Sequence, residues 1–348
     1  MFRSRALTGL LAGALLTSLV ACGGTGAAST SSAGDGGGKV VTVYSADGLA
    51  DWYKTRFEAF TKQTGTKVQL VEAGSGEVVS RLQKEKSNPQ ADVVITLPPF
   101  IQKASADKLL QDYQVPGSDQ VKGPKAADFV TVIDNYLSFI ANPSKGALPK
   151  TFDDLLDPRF KGKIQYSTPG QAGDGTAVLL LLQHLLGKEG ALDYLKKLEA
   201  NNVGPSASTG KLQPKVSKGE IYVANGDVQM NLTSIANDKS AFQVFFPATA
   251  DGKRSTVALP YVMGLGAGAP NKDGGEKLMT YLLSPEAQQT VSGDAFGIPA
   301  RADVKPTDAN FQSVQKATIG VEIWQPDWNA VLAELDADVA AYNKAVQG

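Results

Sequence analysis

Hydrophobic positions in the N-terminal third of the chain follow two alternating patterns. Short runs rich in β-branched residues, at 40–44, 68–71 and 92–96, have the composition of buried parallel strands. Between them, apolar side chains recur at helical spacing from Leu49 to Phe60 and from Val78 to Leu82, and Gly65 ends the first of these stretches. This order of strand and helix predicts a parallel sheet with helices on both faces.

The alternation resumes after residue 142. We predict a short capped helix at 151–156, strands at 163–166 and 220–224, and helices at 176–186 and 190–200. The chain is apolar and glycine-rich at 257–268, and amphipathic helices follow at 275–283, 285–292 and 328–346. About 310 residues are more than one hydrophobic core usually serves. The sequence therefore predicts two α/β lobes, residues 39–140 with 258–348 and residues 141–257, joined near 133–141 and 258–268.

The N-terminus has the three parts of a bacterial export signal. Arg3 and Arg5 precede an apolar stretch at 7–20 that is too short to span a bilayer permanently. The stretch ends in the tetrapeptide 19–22, which looks like a lipobox and contains Cys22, the only cysteine. We expect a signal at 1–21, a diacylglycerol anchor on Cys22 at the outer face of the cell membrane, and a flexible Gly/Ser-rich tether at 22–38. The alternative is an ordinary signal followed by an unrelated thiol.

Charge and residue content narrow the function classes. Without Arg3 and Arg5, the chain has 32 basic and 35 acidic residues. This near balance of charge argues against a surface that binds nucleic acid or acidic membranes. His184 is the only histidine and Cys22 the only thiol, so neither a Ser-His or Cys-His nucleophile nor a His/Cys metal cluster is expected. No Walker-type phosphate loop occurs. Catalysis by carboxylates alone stays open, but no motif favours it; we predict a non-enzyme without cofactors.

Polar residues gather where the predicted strands end. In open α/β sheets ligands bind at these carboxyl ends, where helix N-termini offer unpaired N–H groups to anions. Glycine lets the backbone approach a ligand, and serine or threonine adds a short neutral donor. The alternative is that these residues form turns and helix caps. The candidate ligand-binding residues are Ser45, Ala46, Asp47, Ser75, Gly76, Glu77, Thr96, Thr168, Asp174, Gly175, Thr176, Ser208, Thr209, Asp227 and Tyr261.

Six longer segments carry a family resemblance, within residues 40–328. They are residues 41–49, 135–140, 165–172, 201–212, 218–227 and 324–328. They resemble the 2-aminoethylphosphonate-binding proteins of ABC phosphonate importers. These are type II periplasmic solute receptors, related to ferric-ion-binding proteins.

The resemblance implies a two-lobe type II periplasmic-binding-protein fold, with mostly parallel sheets flanked by helices and a ligand cleft between lobes. It implies a monomeric receptor that delivers 2-aminoethylphosphonate to an ABC permease, which an ATPase energises. Asp227, Asp174 or Glu77 would face the ammonium group. The donors to the phosphonate would be Ser45, Ser75, Gly76, Thr168, Gly175, Thr176, Ser208 and Thr209. The alternative cargo is ferric iron or another phosphorylated solute, but the adjacent tyrosines of the iron-binding relatives are missing.

Overall fold

The computed structural model describes residues 40–347. The predicted signal (1–21), the proposed anchor at Cys22 and the Gly/Ser-rich segment (22–38) lie outside the described residues. Among residues 40–347, no helix combines the length and the apolarity that crossing a bilayer requires.

Seven strands form the larger sheet, in the order β12-β5-β11-β3-β1-β2, with β4 paired to β11. The strands are β1 (Val40–Ala46), β2 (Lys67–Ala73), β3 (Val93–Thr96), β4 (Leu110–Gln111), β5 (Phe129–Asp134), β11 (Tyr261–Gly266) and β12 (Ile298–Pro299). β1 pairs with β2 and β3 in parallel, as predicted. β11 runs antiparallel to β3 and β5, because the chain returns from the opposite direction after the second unit.

A four-stranded sheet forms the second unit, in the order β7-β8-β6-β9. Its strands are β6 (Leu137–Ala141), β7 (Ile164–Gln165), β8 (Val223–Asp227) and β9 (Gln243–Phe245). β7 and β8 are parallel, whereas β6 is antiparallel to both of its neighbours. A separate parallel pair joins β10 (Arg254–Val257) to β13 (Val321–Trp324). The seven-stranded and the four-stranded sheet therefore each contain both parallel and antiparallel strand pairs.

Eleven α-helices of the described chain flank the sheets. They are α1 (Ala50–Thr64), α2 (Ser75–Lys84), α3 (Phe100–Ala106), α4 (Gly173–Leu198), α5 (Leu212–Lys218), α6 (Val228–Asn237), α7 (Lys272–Leu282), α8 (Pro285–Gln289), α9 (Val291–Ala295), α10 (Ala309–Ala317) and α11 (Trp328–Gln347). The helices predicted at 176–186 and 190–200 are the two arms of α4, separated by the non-helical Gly187. The helix predicted at 151–156 is a 3₁₀ turn at Asp153–Leu156.

Local sequence explains the first helix and its packing. Trp52, Tyr53 and Phe60 are almost completely buried, as their helical spacing predicts. Gly65 ends α1 in the left-handed conformation (φ 73°), and its N–H donates to the Thr61 carbonyl over 2.8 Å. One hydrophobic cluster continues from this helix through β5 and β11 to α4, so the two sheets share a core.

The chain passes between the sheets at residues 135–136 and 258–260, and these passages are hydrogen-bonded together. Leu259 N–H donates to the Asn135 carbonyl (2.8 Å), and Ala258 N–H donates to the Trp324 carbonyl (2.9 Å). Three backbone segments therefore lie side by side at the junction, which is where a hinge would bend. The lobe boundaries at 140/141 and 257/258 stay a prediction.

The C-terminal helix α11 contacts both parts of the molecule. Its Asp338 accepts from Lys188 on α4 (2.7 Å), and its Asp336 lies 3.5 Å from Lys103 on α3. The residues of α11 were predicted to belong to the first lobe, and in the structure the helix contacts both α3 and α4.

Candidate functional site

Loops from the two sheets meet at the carboxyl ends of β1, β2 and β3. The N–H of Gly76 donates to the Gln171 carbonyl over 2.8 Å, across the junction. Gly74 lies so close to the opposite backbone that an added Cβ would stand 2.2 Å from the Ala207 carbonyl oxygen. The structure is thus in a closed arrangement, in which the predicted candidate loops of both halves face one another.

A chain of hydrogen bonds joins the two halves at this junction. Tyr261, on β11, places its hydroxyl 2.8 Å from the main-chain carbonyl of Asp47 and 3.0 Å from Oδ2 of Asp227. Asp227 ends β8 and caps α6, because its Oδ1 accepts from Met230 N–H (2.6 Å). Ser208 donates from the second unit to the Asp47 carboxylate. A loop and a strand of one half are therefore connected to a strand end and a loop of the other.

Asp174 adds a second buried carboxyl group beside Asp227. Its side chain lies in the first turn of α4, the residue is only 3 % exposed, and Oδ1 has no hydrogen-bond partner among the described residues. Burial, and after it the charge of Asp227, raises the pKa of Asp174 well above its usual value. Burial also raises the pKa of Asp227 to about 6, although Asn135, Met230 and Tyr261 partly offset this.

No basic side chain neutralises these carboxyl groups in residues 40–347. All nine ion pairs of the described chain involve other acidic residues, mostly at the surface. A buried carboxylate without a partner is costly, so the site is suited to a ligand that brings its own positive charge.

Two helix N-termini converge next to these carboxyl groups. Ser75 opens α2 and Gly173 opens α4, and a Cβ on Gly173 would lie 2.7 Å from Ser75 Oγ. The buried Oγ1 of Thr96, at the end of β3, has no hydrogen-bond partner among residues 40–347. First-turn N–H groups have no partner within their own helix, and they attract anions. The junction therefore offers donors for an anion beside acceptors for a cation.

Most other predicted donors already have partners inside the protein. The Ser45 hydroxyl bonds to the Ala46 carbonyl and to Tyr53, both at 2.8 Å. Thr168 Oγ1 accepts from Ser206 N–H, and Thr176 Oγ1 bonds to Gly170 and Ala172. These three hydroxyls shape the loops, as the turn-and-cap alternative proposed.

The remaining candidates also differ in position. Thr209 donates to Ser167 over 3.0 Å and lowers the pKa of Asp174. Gly175 packs tightly, since a Cβ there would lie 2.0 Å from the Ser167 carbonyl oxygen. Glu77 is exposed on α2, unlike Asp174.

Three neighbouring residues were not singled out from the sequence as site residues. Asn135 Nδ2 and Gln229 Oε1 are buried and have no partner among the described residues. Gly48 has φ 118°, and a Cβ there would lie 2.3 Å from the Tyr261 hydroxyl. The signal for Asn135 was its place in segment 135–140, and that for Gln229 its position two residues after Asp227.

A cavity of about 400 Å³ lies at the mouth of the junction. Asp47 and Ser208 line it together with Asp51, Glu72 and Lys211. A larger cavity of about 490 Å³, between α1 and α7, contains none of the candidate residues.

The predicted iron alternative lacks a tyrosine pair in this junction. Tyr166 instead contacts Tyr342 of α11, with 2.9 Å between their hydroxyl oxygens, and donates to Glu199. Within the described chain no group of three or more His, Cys, Asp or Glu residues is arranged to hold a metal ion.

Comparison with known proteins adds independent information. Residues 55–319 match the family model of "Bacterial extracellular solute-binding protein". A Salmonella typhimurium LT2 protein named "Putative 2-aminoethylphosphonate-binding periplasmic protein" is 50% identical over 315 residues, covering 88% of this chain and 93% of its own. The major ferric iron-binding protein of Neisseria meningitidis MC58 is 25% identical, covering 74% and 80%. The periplasmic binding protein P5PA has a TM-score of 0.76 at 23% identity, covering 88% and 99%. The predicted fold class is confirmed.

Proposed function

Because this chain belongs to the family of bacterial extracellular solute-binding proteins, we propose that it is the receptor of an ABC importer and binds 2-aminoethylphosphonate between its two lobes. The sequence resemblance to 2-aminoethylphosphonate-binding proteins is confirmed by the Salmonella relative, which matches over most of both chains. The iron-binding relatives are more distant.

The observation that supports this cargo is the juxtaposition of two opposite kinds of subsite. Asp174 and Asp227 are buried without a cation, and the N-termini of α2 and α4 meet beside them. A zwitterion with an ammonium group at one end and a phosphonate at the other satisfies both. Stripping water from either charge costs several kcal/mol unless the protein replaces it, so a ligand with only one charge leaves part of the site unsatisfied.

Closure is part of the proposed mechanism. Donors from both lobes contact one ligand only when the lobes are together, so the ligand favours the closed state. The permease would recognise this state, while an ATPase supplies the energy. We also propose that the receptor works as a monomer and is held at the outer face of the cell membrane through Cys22.

Titration calorimetry of the purified protein tests the cargo. We expect 2-aminoethylphosphonate to bind at least about a hundred-fold more tightly than ethylphosphonate, because the latter leaves a buried carboxylate unpaired. Inorganic phosphate and β-alanine should also bind more weakly. Recovery of chemically unchanged ligand would distinguish a receptor from an enzyme. Tighter binding of phosphate, or of a ferric salt with a visible phenolate band, would contradict the proposed cargo.

A further inference from the structure

The hydroxyl of Tyr261 lies between two oxygen atoms of the junction. This hydroxyl has one hydrogen but two close oxygen neighbours, the Asp47 carbonyl at 2.8 Å and Asp227 Oδ2 at 3.0 Å. Both contacts can be hydrogen bonds at the same time only if one of the two neighbouring oxygens carries a hydrogen, and a main-chain carbonyl oxygen carries none. Both contacts are therefore hydrogen bonds only if Oδ2 of Asp227 carries that hydrogen. Without it, one of the two pairs of oxygen atoms would face one another with no hydrogen between them.

The other oxygen of Asp227 is also engaged. Its Oδ1 accepts from Met230 N–H over 2.6 Å, where it caps α6. Both oxygens of Asp227 therefore already have partners in the closed structure. Asp174 is different, because its Oδ1 is buried and has no partner in the described part of the chain. A cationic ligand entering the junction finds its vacant acceptor on Asp174.

We propose that Asp174 is the carboxylate that receives the ammonium group of the ligand, and that Asp227 is a positioning residue that keeps its proton and ties the two lobes together through Tyr261. This assignment rests on the proposed function, since it concerns the same site. From the sequence, Asp227, Asp174 and Glu77 were equal candidates for binding the ammonium group. The proposal assigns that role to Asp174 and a positioning role to Asp227.

The charge balance supports this division. One ammonium group neutralises one carboxylate, so a second charge on the adjacent acid would remain unpaired. Burial raises the pKa of both acids, and the charge of Asp227 raises the pKa of Asp174 further, which favours one proton on the pair. When the ammonium group holds the charge on Asp174, repulsion keeps that proton on Asp227. Asn135, Met230 N–H and Tyr261 face Asp227 from three segments, while Thr209 and Asp47 face Asp174.

Matched isosteric variants test the assignment. Asp174→Asn removes the charge that faces the ammonium group, and we expect about a hundred-fold or greater loss of 2-aminoethylphosphonate affinity. Its affinity for ethylphosphonate should fall much less, because that ligand has no ammonium group. Asp227→Asn keeps a donor toward Tyr261, so its loss should be clearly smaller than that of Asp174→Asn.

The pH profile separates positioning from a general structural effect. Relative to Asp227→Asn, wild-type affinity should fall as pH rises through the titration of Asp227, since the closed state then loses its donor. Comparing the two proteins cancels the titration of the phosphonate itself. Tyr261→Phe removes the hydroxyl that contacts Asp227, so this variant should lose the same pH dependence.

The outcomes are distinct. If the wild type binds 2-aminoethylphosphonate but Asp227→Asn loses as much affinity as Asp174→Asn, or keeps the wild-type pH profile, the division of roles is wrong while the proposed function stands. Calorimetry at neutral pH in two buffers gives a second measurement. We expect the wild type to release no more protons than Asp227→Asn, and release of one additional proton per ligand would overturn the assignment. If the wild type binds no aminophosphonate, the proposed function and this inference both fail.

Discussion

Replacing Gly74 with alanine should weaken ligand binding by blocking closure alone. Gly74 has φ −64° and ψ 150°, which alanine adopts freely, so neither lobe is strained by the change. In the closed structure, however, the new Cβ would lie 2.2 Å from the Ala207 carbonyl oxygen and 2.9 Å from that of Gln171. Both carbonyls belong to the opposite half. The substitution therefore acts on the closed state and leaves the open state unchanged.

The magnitude follows from the distance the backbone must yield. A carbon–oxygen contact needs about 3.3 Å, so the loops must separate by roughly 1 Å. The bond from Gly76 N–H to Gln171, now 2.8 Å, then exceeds hydrogen-bond length. Losing one buried bond and leaving its groups unpaired costs about 1–3 kcal/mol. This corresponds to a dissociation constant about five- to 150-fold higher.

Titration calorimetry with 2-aminoethylphosphonate measures this loss, and thermal unfolding without ligand should show wild-type stability. Small-angle scattering at saturating ligand should show a more open shape for the variant. Gly293→Ala is the matched control, because a Cβ there meets nothing within 4 Å. Unchanged affinity in Gly74→Ala would mean that the ligand-bound state does not bring Gly74 against Ala207.

Three further predictions address other parts of the molecule. Asp134→Asn should stabilise the ligand-free fold by about 1–3 kcal/mol at pH 7. Burial raises the pKa of Asp134 to about 6, so the stability of the wild type falls as the pH rises from 4 to 6. Denaturant unfolding at pH 7 and at pH 4 should show that the variant is more stable at pH 7 and that this advantage vanishes near pH 4. Ser75→Ala should weaken ligand binding about ten- to hundred-fold in calorimetry by removing a donor to the anion. Wild-type affinity in a folded variant would show that the anion does not bind at Ser75. Cys22→Ser should incorporate no labelled palmitate in cells, and labelling equal to wild type would refute the anchor.

Strands and helices were predictable where hydrophobic spacing is strong and a local signal ends the element. The run at 40–44 became β1, and Gly65 ended α1 as predicted. The strand predicted at 220–224 begins instead at Val223, because Gly219 ends α5 with φ 74° and the following residues turn toward Lys163. Apolar residues within a turn look like the start of a strand when only their pattern is read.

The site was less predictable, because its chemistry depends on distant partners. Ser45 and Ser75 look equivalent in sequence, as small hydroxyls after a strand. The structure engages Ser45 with Tyr53, eight positions away, and leaves Ser75 at the opening of α2. Likewise Thr209 bonds to Ser167, 42 positions away. No local pattern distinguishes a hydroxyl that binds ligand from one that holds a loop.

The position of β11 has a consequence for how the molecule folds. This strand lies between β3 and β5, yet β3 ends at Thr96 and β11 begins only at Tyr261. During synthesis, β3 and β5 therefore each expose an unpaired edge until the whole intervening unit has been made. Contacts of such long sequence separation form slowly, because a large loop must close first. The seven-stranded sheet therefore cannot be completed until β11 has been synthesised.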